Sequence, residues 1–123
     1  MSTILVAEDD AAVRSMLAVV LERAGHAVVG VGSGLECLEV LAAGEVDLVV
    51  LDVEMPQLDG WDTLSAIRAT STVPVVLLTA LSGDEHRARS VERGADAFVS
   101  KPFINGDLLQ VIRDLLGSPG DAS

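Results

Sequence analysis

Five short apolar runs alternate with segments of helical character along this chain, and this alternation constrains the fold more than any other feature. The runs cover residues 3–7, 27–31, 47–51, 73–79 and 97–100. Residues 48–51 and 75–78 are continuously apolar, which is typical of strands buried on both faces. Strands that alternate with helices form a parallel sheet covered by helices on both faces. We therefore predict an α/β fold of five βα units.

The helical segments differ in the apolar surface that they offer to a core. In the first segment, apolar residues recur at i, i+3, i+4, i+7, i+8 and i+11, which predicts one stripe of a helix that ends at Gly25. That stripe consists of Val13, Met16, Leu17, Val20, Leu21 and Ala24. The fourth segment, residues 84–93, offers only Ala88 and Val91, so we expect it to shift at a lower energetic cost than its neighbours.

The length of 123 residues suits one domain with a sizeable core. We expect residues 1–117 to form that domain, and residues 118–123 to be a flexible tail or the start of a linker. No apolar run approaches the roughly 18–20 residues of a membrane span, which predicts a cytoplasmic protein without a membrane partner.

Charge and cysteine content exclude further classes. The formal net charge is −11, from 19 acidic and 8 basic residues, and this argues against direct binding to nucleic acid or anionic lipid. The single cysteine, Cys37, lies in an apolar stretch, which predicts a buried, reduced thiol and excludes a disulfide framework.

The residues at the carboxyl ends of the strands are the candidates for chemistry, because doubly wound sheets bind their ligands at that edge. They are Glu8, Asp9 and Asp10 after the first run, Asp52 after the third, Thr79 and Ala80 at the fourth, and Lys101 and Pro102 after the fifth. We expect the carboxylates of the first and third strands to lie within several ångströms of one another. Such a cluster needs a cation, and its hard oxygen ligands favour Mg²⁺ or Mn²⁺.

This combination of side chains suits phosphoryl transfer, in which positioning and charge neutralisation supply most of the catalysis. Asp52 is the predicted nucleophile and would form an acyl phosphate. Lys101 would supply positive charge and Thr79 a hydroxyl group.

Four segments of the sequence resemble the signature segments of two-component response-regulator receiver domains of the chemotaxis-regulator type. They are ILVAEDD at 4–10, LDVEMPQLDG at 51–60, LLTA at 77–80 and KPF at 101–103. The resemblance covers about residues 3–116. It implies a flavodoxin-like, doubly wound (βα)5 domain whose parallel five-stranded sheet has the order 2-1-3-4-5.

The resemblance also implies roles for individual residues. Asp52 would be the phosphoacceptor, and Asp9 and Asp52 would bind Mg²⁺ directly, while Glu8 would act through water and Glu54 through its main-chain carbonyl. It assigns no role to Asp10.

On the later strands, the resemblance implies that Lys101 contacts the phosphoryl group and that Thr79 donates a hydrogen bond to it. Thr79 would also act as a switch together with Phe98 on the fifth strand. Ala80 completes the motif after Thr79, and the Lys101–Pro102 peptide bond is expected to be cis.

The function that follows is a signalling switch rather than an enzyme with a separate substrate, although the domain would catalyse its own phosphorylation and dephosphorylation. The donor would be a histidine kinase or a histidine phosphotransfer domain. Phosphorylation would change the face formed by the fourth helix, the fifth strand and the fifth helix, and thereby control an output protein or a C-terminal effector domain.

Three alternatives stay open at this point. A nucleotide-binding or flavodoxin-like protein needs a Gly-rich or Ser/Thr-rich phosphate loop where this chain has Glu8, Asp9 and Asp10. A small phosphatase with an aspartate nucleophile would have a second Asp at position 54, which is Glu here. An interaction module with the receiver fold could work without phosphorylation.

Overall fold

The computed structural model describes residues 2–54, 60–79, 94–100 and 105–116. These ranges contain the strands β1 Thr3–Ala7, β2 Ala27–Val31, β3 Leu48–Asp52, β4 Val75–Thr79 and β5 Ala97–Ser100. They also contain the helices α1 Ala11–Arg23, α2 Gly34–Ala43, α3 Gly60–Thr70 and α4 Asn105–Leu116. The predicted helical segment 84–93 and the predicted tail 118–123 lie outside the described residues.

All described strands pair in parallel, in the order β2-β1-β3-β4-β5. This confirms the predicted fold class and strand order. The chain starts at β1 near the middle of the sheet, passes to the edge strand β2, and then crosses back to β3. The strand order therefore reverses between β1 and β3, and their carboxyl ends form the topological switch point at which such sheets bind ligands.

The side chains of strand β3 alternate between the two faces of the sheet and so divide the core into two layers. All five of its residues are buried, as the continuous apolar run predicts. Val49 and Leu51 pack in one cluster with side chains of α2 and α3. Leu48 and Val50 pack in the other cluster with side chains of α1 and α4. Helices thus cover both faces of the sheet.

The strand boundaries differ from the sequence prediction by one or two residues. The third strand begins at Leu48 because Asp47 contacts the start of β1 through its side chain. Its Oδ2 accepts a hydrogen bond of 2.7 Å from the amide of Thr3. The fourth strand begins at Val75 because Pro74 has no N–H to donate to a ladder. At the other end of β3, Asp52 pairs with Leu78 of β4, so it is the last residue of the strand rather than the first residue after it.

The apolar stripe of α1 is only partly used by the core. Leu17 and Leu21 are fully buried against the sheet, whereas Met16 is 42% exposed and Ala24, the C-cap, is also exposed, so the predicted core positions of these two residues are wrong. Met16 lies one residue, about 100° of helix rotation, from Leu17, and the sheet covers a narrower face of the helix than the stripe spans.

Cys37 lies on α2 and is fully buried and free, as the sequence predicts. Burial raises the pKa of its thiol to about 12, because the thiolate form would lose its hydration. None of the helices in the described ranges is both long enough and apolar enough to cross a membrane.

Candidate metal centre

Three carboxylates meet at the carboxyl edge of the sheet. Ala7 pairs with Leu51 in the parallel register of β1 and β3, so Glu8 and Asp9 emerge beside Asp52. One oxygen from each of these three side chains lies within 4.8 Å of the other two. The structure therefore confirms that the acids of the first and third strands converge. Their role as metal ligands stays a prediction.

The three acids differ in burial. Glu8 is 1% exposed and Asp52 is 2% exposed, whereas Asp9 is exposed to solvent. If Glu8 and Asp52 are both ionised at a separation of 4.8 Å or less, they repel each other by at least about 3.5 kcal/mol at an effective dielectric constant near 20. The candidate ligand atoms are carboxylate oxygens, those of Glu8 and Asp52 buried and that of Asp9 exposed. These residues fit a hard divalent ion such as Mg²⁺ or Mn²⁺.

Main-chain hydrogen bonds hold Asp52 at the end of β3. The amide of Val53 donates to the carbonyl of Leu78 at 2.9 Å, which carries the pairing with β4 one residue past the strand. The amide of Glu54 donates to Oδ1 of Asp52 at 2.9 Å. This turn fixes the rotation of the Asp52 carboxylate. Glu54 is exposed, and the use of its carbonyl as a metal ligand stays a prediction.

Gly60, the first residue of α3, lies directly against the backbone that carries Asp52. A Cβ atom at this position would be 2.4 Å from the Cα of Val53 and 2.5 Å from the carbonyl oxygen of Asp52. The amide of Gly60 also donates to the carbonyl of Val53 at 2.9 Å. Only glycine permits this approach, so Gly60 sets the position of the main chain at the predicted phosphoacceptor.

The loop after β1 is held by hydrogen bonds at Glu8 and at Asp10. The amide of Glu8 donates to the carbonyl of Val31 at 3.1 Å, and its carbonyl accepts a hydrogen bond of 2.7 Å from Nη1 of Arg14. Asp10 is the N-cap of α1, and its Oδ1 accepts from the amides of Ala12 and Val13 at 2.9 and 3.2 Å.

Asp10, to which the family resemblance assigns no role, thus has a structural role as a helix cap. The sequence contains the pattern that predicts this cap, an aspartate just before an amphipathic run. The contact of Arg14 had no such signal.

The remaining predicted site residues are only partly placed by the structure. Phe98 lies in β5, is half-buried and pairs with Leu77. Thr79 is the last residue of β4 and pairs with Ser100 of β5, so its backbone lies at the same edge of the sheet as the acids. The side chain of Thr79 lies outside the described part of the structure, as do Ala80, Lys101 and Pro102.

The sheet order and the acids at its switch point define a doubly wound α/β domain of the flavodoxin-like type. A family model described as the response regulator receiver domain matches residues 4–113. The chain belongs to this family and is a signalling domain of two-component response regulators.

Individual relatives agree with this assignment. The probable transcriptional regulatory protein SilR of Salmonella typhimurium is 40% identical over 114 residues, which cover 92% of this chain and 50% of that protein. The receiver domain of the Francisella response regulator 1452 has a TM-score of 0.91 and 28% identity, with 94% of this chain and 97% of that chain covered. The chemotaxis protein CheY4 of Vibrio cholerae has a TM-score of 0.89 and 28% identity, with coverage of 94% and 99%. The chain spans about half the length of the curated relatives that it matches.

Proposed function

We propose that this chain is a phosphorylation-dependent switch in which Asp52 accepts a phosphoryl group from a phosphohistidine. The donor would be a histidine kinase or a histidine phosphotransfer protein. The observation that carries the proposal is the convergence of the Glu8, Asp9 and Asp52 carboxylates within 4.8 Å at the switch point of a receiver-family sheet.

In the proposed reaction, a carboxylate oxygen of Asp52 forms a bond to phosphorus while the bond between phosphorus and the imidazole nitrogen of the donor breaks. The electron pair of the broken bond stays on that nitrogen, so the donor returns to histidine. The Glu54 amide orients the Asp52 carboxylate before the reaction, through its 2.9 Å hydrogen bond to Oδ1. Hydrolysis of the acyl phosphate by water resets the switch.

Glu8, Asp9 and Asp52, together with the carbonyl of Glu54, would hold a Mg²⁺ or Mn²⁺ ion. When bound, the ion supplies positive charge that offsets the charge of the phosphoryl group and of the acids. Asp9 and Asp52 would bind the ion directly, and Glu8 would act through water; of these residues, Asp9 is exposed to solvent, whereas Glu8 and Asp52 are buried.

The family resemblance supplies the other roles in this proposal. Lys101 would contact the phosphoryl group, and Thr79 would donate a hydrogen bond to one of its oxygens. The movement of Thr79 would be coupled to the packing of Phe98, which lies half-buried on the edge strand β5. Ala80 would complete the motif after Thr79, and the Lys101–Pro102 peptide bond would be cis.

We further propose that the signal leaves through the face formed by residues 84–93, β5 and α4. Residues 1–117 would be the receiver domain, with residues 118–123 as a tail or linker. Because the chain spans about half the length of its curated relatives, the output partner would be a separate protein or an effector domain beyond this sequence.

Incubation with Mg²⁺ and a small acyl phosphate, followed by intact mass measurement, tests this function. We expect a labile phosphoryl adduct on the wild type and on Asp107→Asn, which removes a carboxylate from an exposed position of α4. Asp52→Asn should carry no adduct. A wild-type protein that stays unmodified would favour an interaction module that needs no phosphorylation, and an adduct on Asp52→Asn would contradict the assignment of the phosphoacceptor.

A further inference from the structure

Arg14 contacts the main chain between two of the three clustered acids. It lies in the first turn of α1 and is half-buried. Its Nη1 donates a hydrogen bond of 2.7 Å to the carbonyl oxygen of Glu8. That oxygen belongs to the peptide group that joins Glu8 to Asp9, so the guanidinium restrains the orientation of the backbone from which both carboxylates project.

The end of the edge strand β2 and the residue that follows it leave room for this side chain. A Cβ atom on Gly30 would be 3.1 Å from Cδ of Arg14, and one on Gly32 would be 3.3 Å from its Nη1. The stem of Arg14 therefore lies along a path formed by two glycines. Neighbouring Val31 accepts the hydrogen bond of the Glu8 amide at 3.1 Å, so β2 and α1 hold the two polar groups of Glu8's main chain between them.

We propose that Arg14 is a positioning residue for the candidate metal centre. It holds the Glu8–Asp9 peptide group so that both carboxylates face Asp52 before an ion binds. This inference rests on the proposed function, because a positioning role for Arg14 requires that a metal ion binds at this site. Pre-organised ligands bind more tightly because less conformational freedom is lost on binding.

A positioning role and a purely electrostatic role predict opposite effects of removing Arg14 on the affinity for Mg²⁺. If Arg14 acted only through its positive charge, its removal would leave the site more negative and Mg²⁺ would bind more tightly. If it acts by positioning, its removal loosens two ligands and Mg²⁺ binds more weakly. The direction of the change therefore separates the two effects.

The experiment is a Mg²⁺ titration of the whole chain, followed by the fluorescence of Trp61, the single tryptophan. Trp61 reports on the site because it packs in the same buried cluster as Val53, the residue after Asp52. Arg14→Met keeps an apolar stem without a donor, and we expect its Kd for Mg²⁺ to rise roughly 10-fold, as is usual for the loss of an outer-shell contact. The matched control is Arg23→Met, which removes the same charge from an exposed position in the last turn of α1 and should not weaken binding.

A second readout needs no metal. In the absence of Mg²⁺, the amide resonance of Asp9 in a ¹H–¹⁵N NMR spectrum should shift in Arg14→Met and stay in place in Arg23→Met. Arg14→Lys keeps the charge, but its shorter side chain reaches the carbonyl less well, so we expect a smaller loss of Mg²⁺ affinity. If Arg14→Met does not fold, Arg14→Lys decides, since weaker binding than wild type supports the inference and equal binding overturns it.

The titrations separate the two possible failures. If the wild type binds Mg²⁺ and Arg14→Met binds it as tightly as Arg23→Met does, the positioning role is wrong and the proposed function stands. If the wild type binds no Mg²⁺, the proposed metal site fails and this inference fails with it.

Discussion

Gly60→Ala tests how the backbone at Asp52 is held in place. The new Cβ would be 2.4 Å from the Cα of Val53 and 2.5 Å from the carbonyl oxygen of Asp52. Normal contacts between carbon atoms are about 3.5–4.0 Å, so a shift on the order of 1 Å is needed. Both obstructing atoms are backbone atoms at the end of the buried strand β3, and no side-chain rotation can relieve the clash.

The expected change in the free energy of unfolding of Gly60→Ala combines two opposing contributions. Alanine is favoured over glycine in a helix by up to about 1 kcal/mol. Overpacking at a rigid site costs about 1–3 kcal/mol, and the upper value applies here because backbone must move. We therefore expect Gly60→Ala to lower the free energy of unfolding by about 2 kcal/mol, which corresponds to a fall in Tm of roughly 8 °C for a domain of this size.

Urea denaturation followed by circular dichroism measures this change, and Gly106→Ala in α4 is the matched control. A Cβ atom at Gly106 would meet nothing within 4 Å, so this variant should be neutral or more stable by up to about 1 kcal/mol. The reasoning is refuted if Gly60→Ala unfolds at the same urea concentration as the wild type, or at a higher one.

Three other side chains give measurable expectations. At pH 8, alkylation of Cys37 should be about 1,000-fold slower in the folded than in the unfolded protein, because burial raises the thiol pKa from 9.0 to about 12. Alkylation of the folded protein at the unfolded rate would contradict this expectation. Because the folded state favours the protonated thiol, the free energy of unfolding should also fall as the pH rises from about 9 to about 12. Arg68→Met should lower the free energy of unfolding by about 2 kcal/mol in urea titrations, because Arg68 donates to the carbonyl of Gly94 at 2.8 Å. The partly exposed ion pair of Arg68 with Asp96 contributes little of this, so Asp96→Asn should cost less. Asp10→Ala should cost about 1 kcal/mol through loss of the helix cap and Asp10→Asn much less, and equal losses would exclude the capping role.

The fold could be predicted because burial on both faces is recorded in the sequence as continuous apolar runs. The limits of the strands were less predictable, since they depend on single hydrogen bonds such as that between Asp47 and Thr3. The exposure of Met16 was missed because periodicity gives the width of an apolar stripe on a helix, but not the width of the surface that covers it.

The acidic cluster was predictable for a topological reason. Parallel neighbouring strands end at the same edge, so acids at the ends of the first and third strands must approach each other. The contacts of Arg14 and Gly60 were not predictable, because each depends on the distance between an element and a backbone segment that is remote in sequence. No local pattern of residue types encodes such distances.

A crystal grown with Mn²⁺ and measured at a wavelength with anomalous signal tests most directly whether a divalent ion occupies the cluster. We expect one anomalous peak within bonding distance of the carboxylates of Asp9 and Asp52, with Glu8 nearby. The absence of such a peak at saturating Mn²⁺, with the three carboxylates pointing away from one another, would contradict the metal-dependent switch.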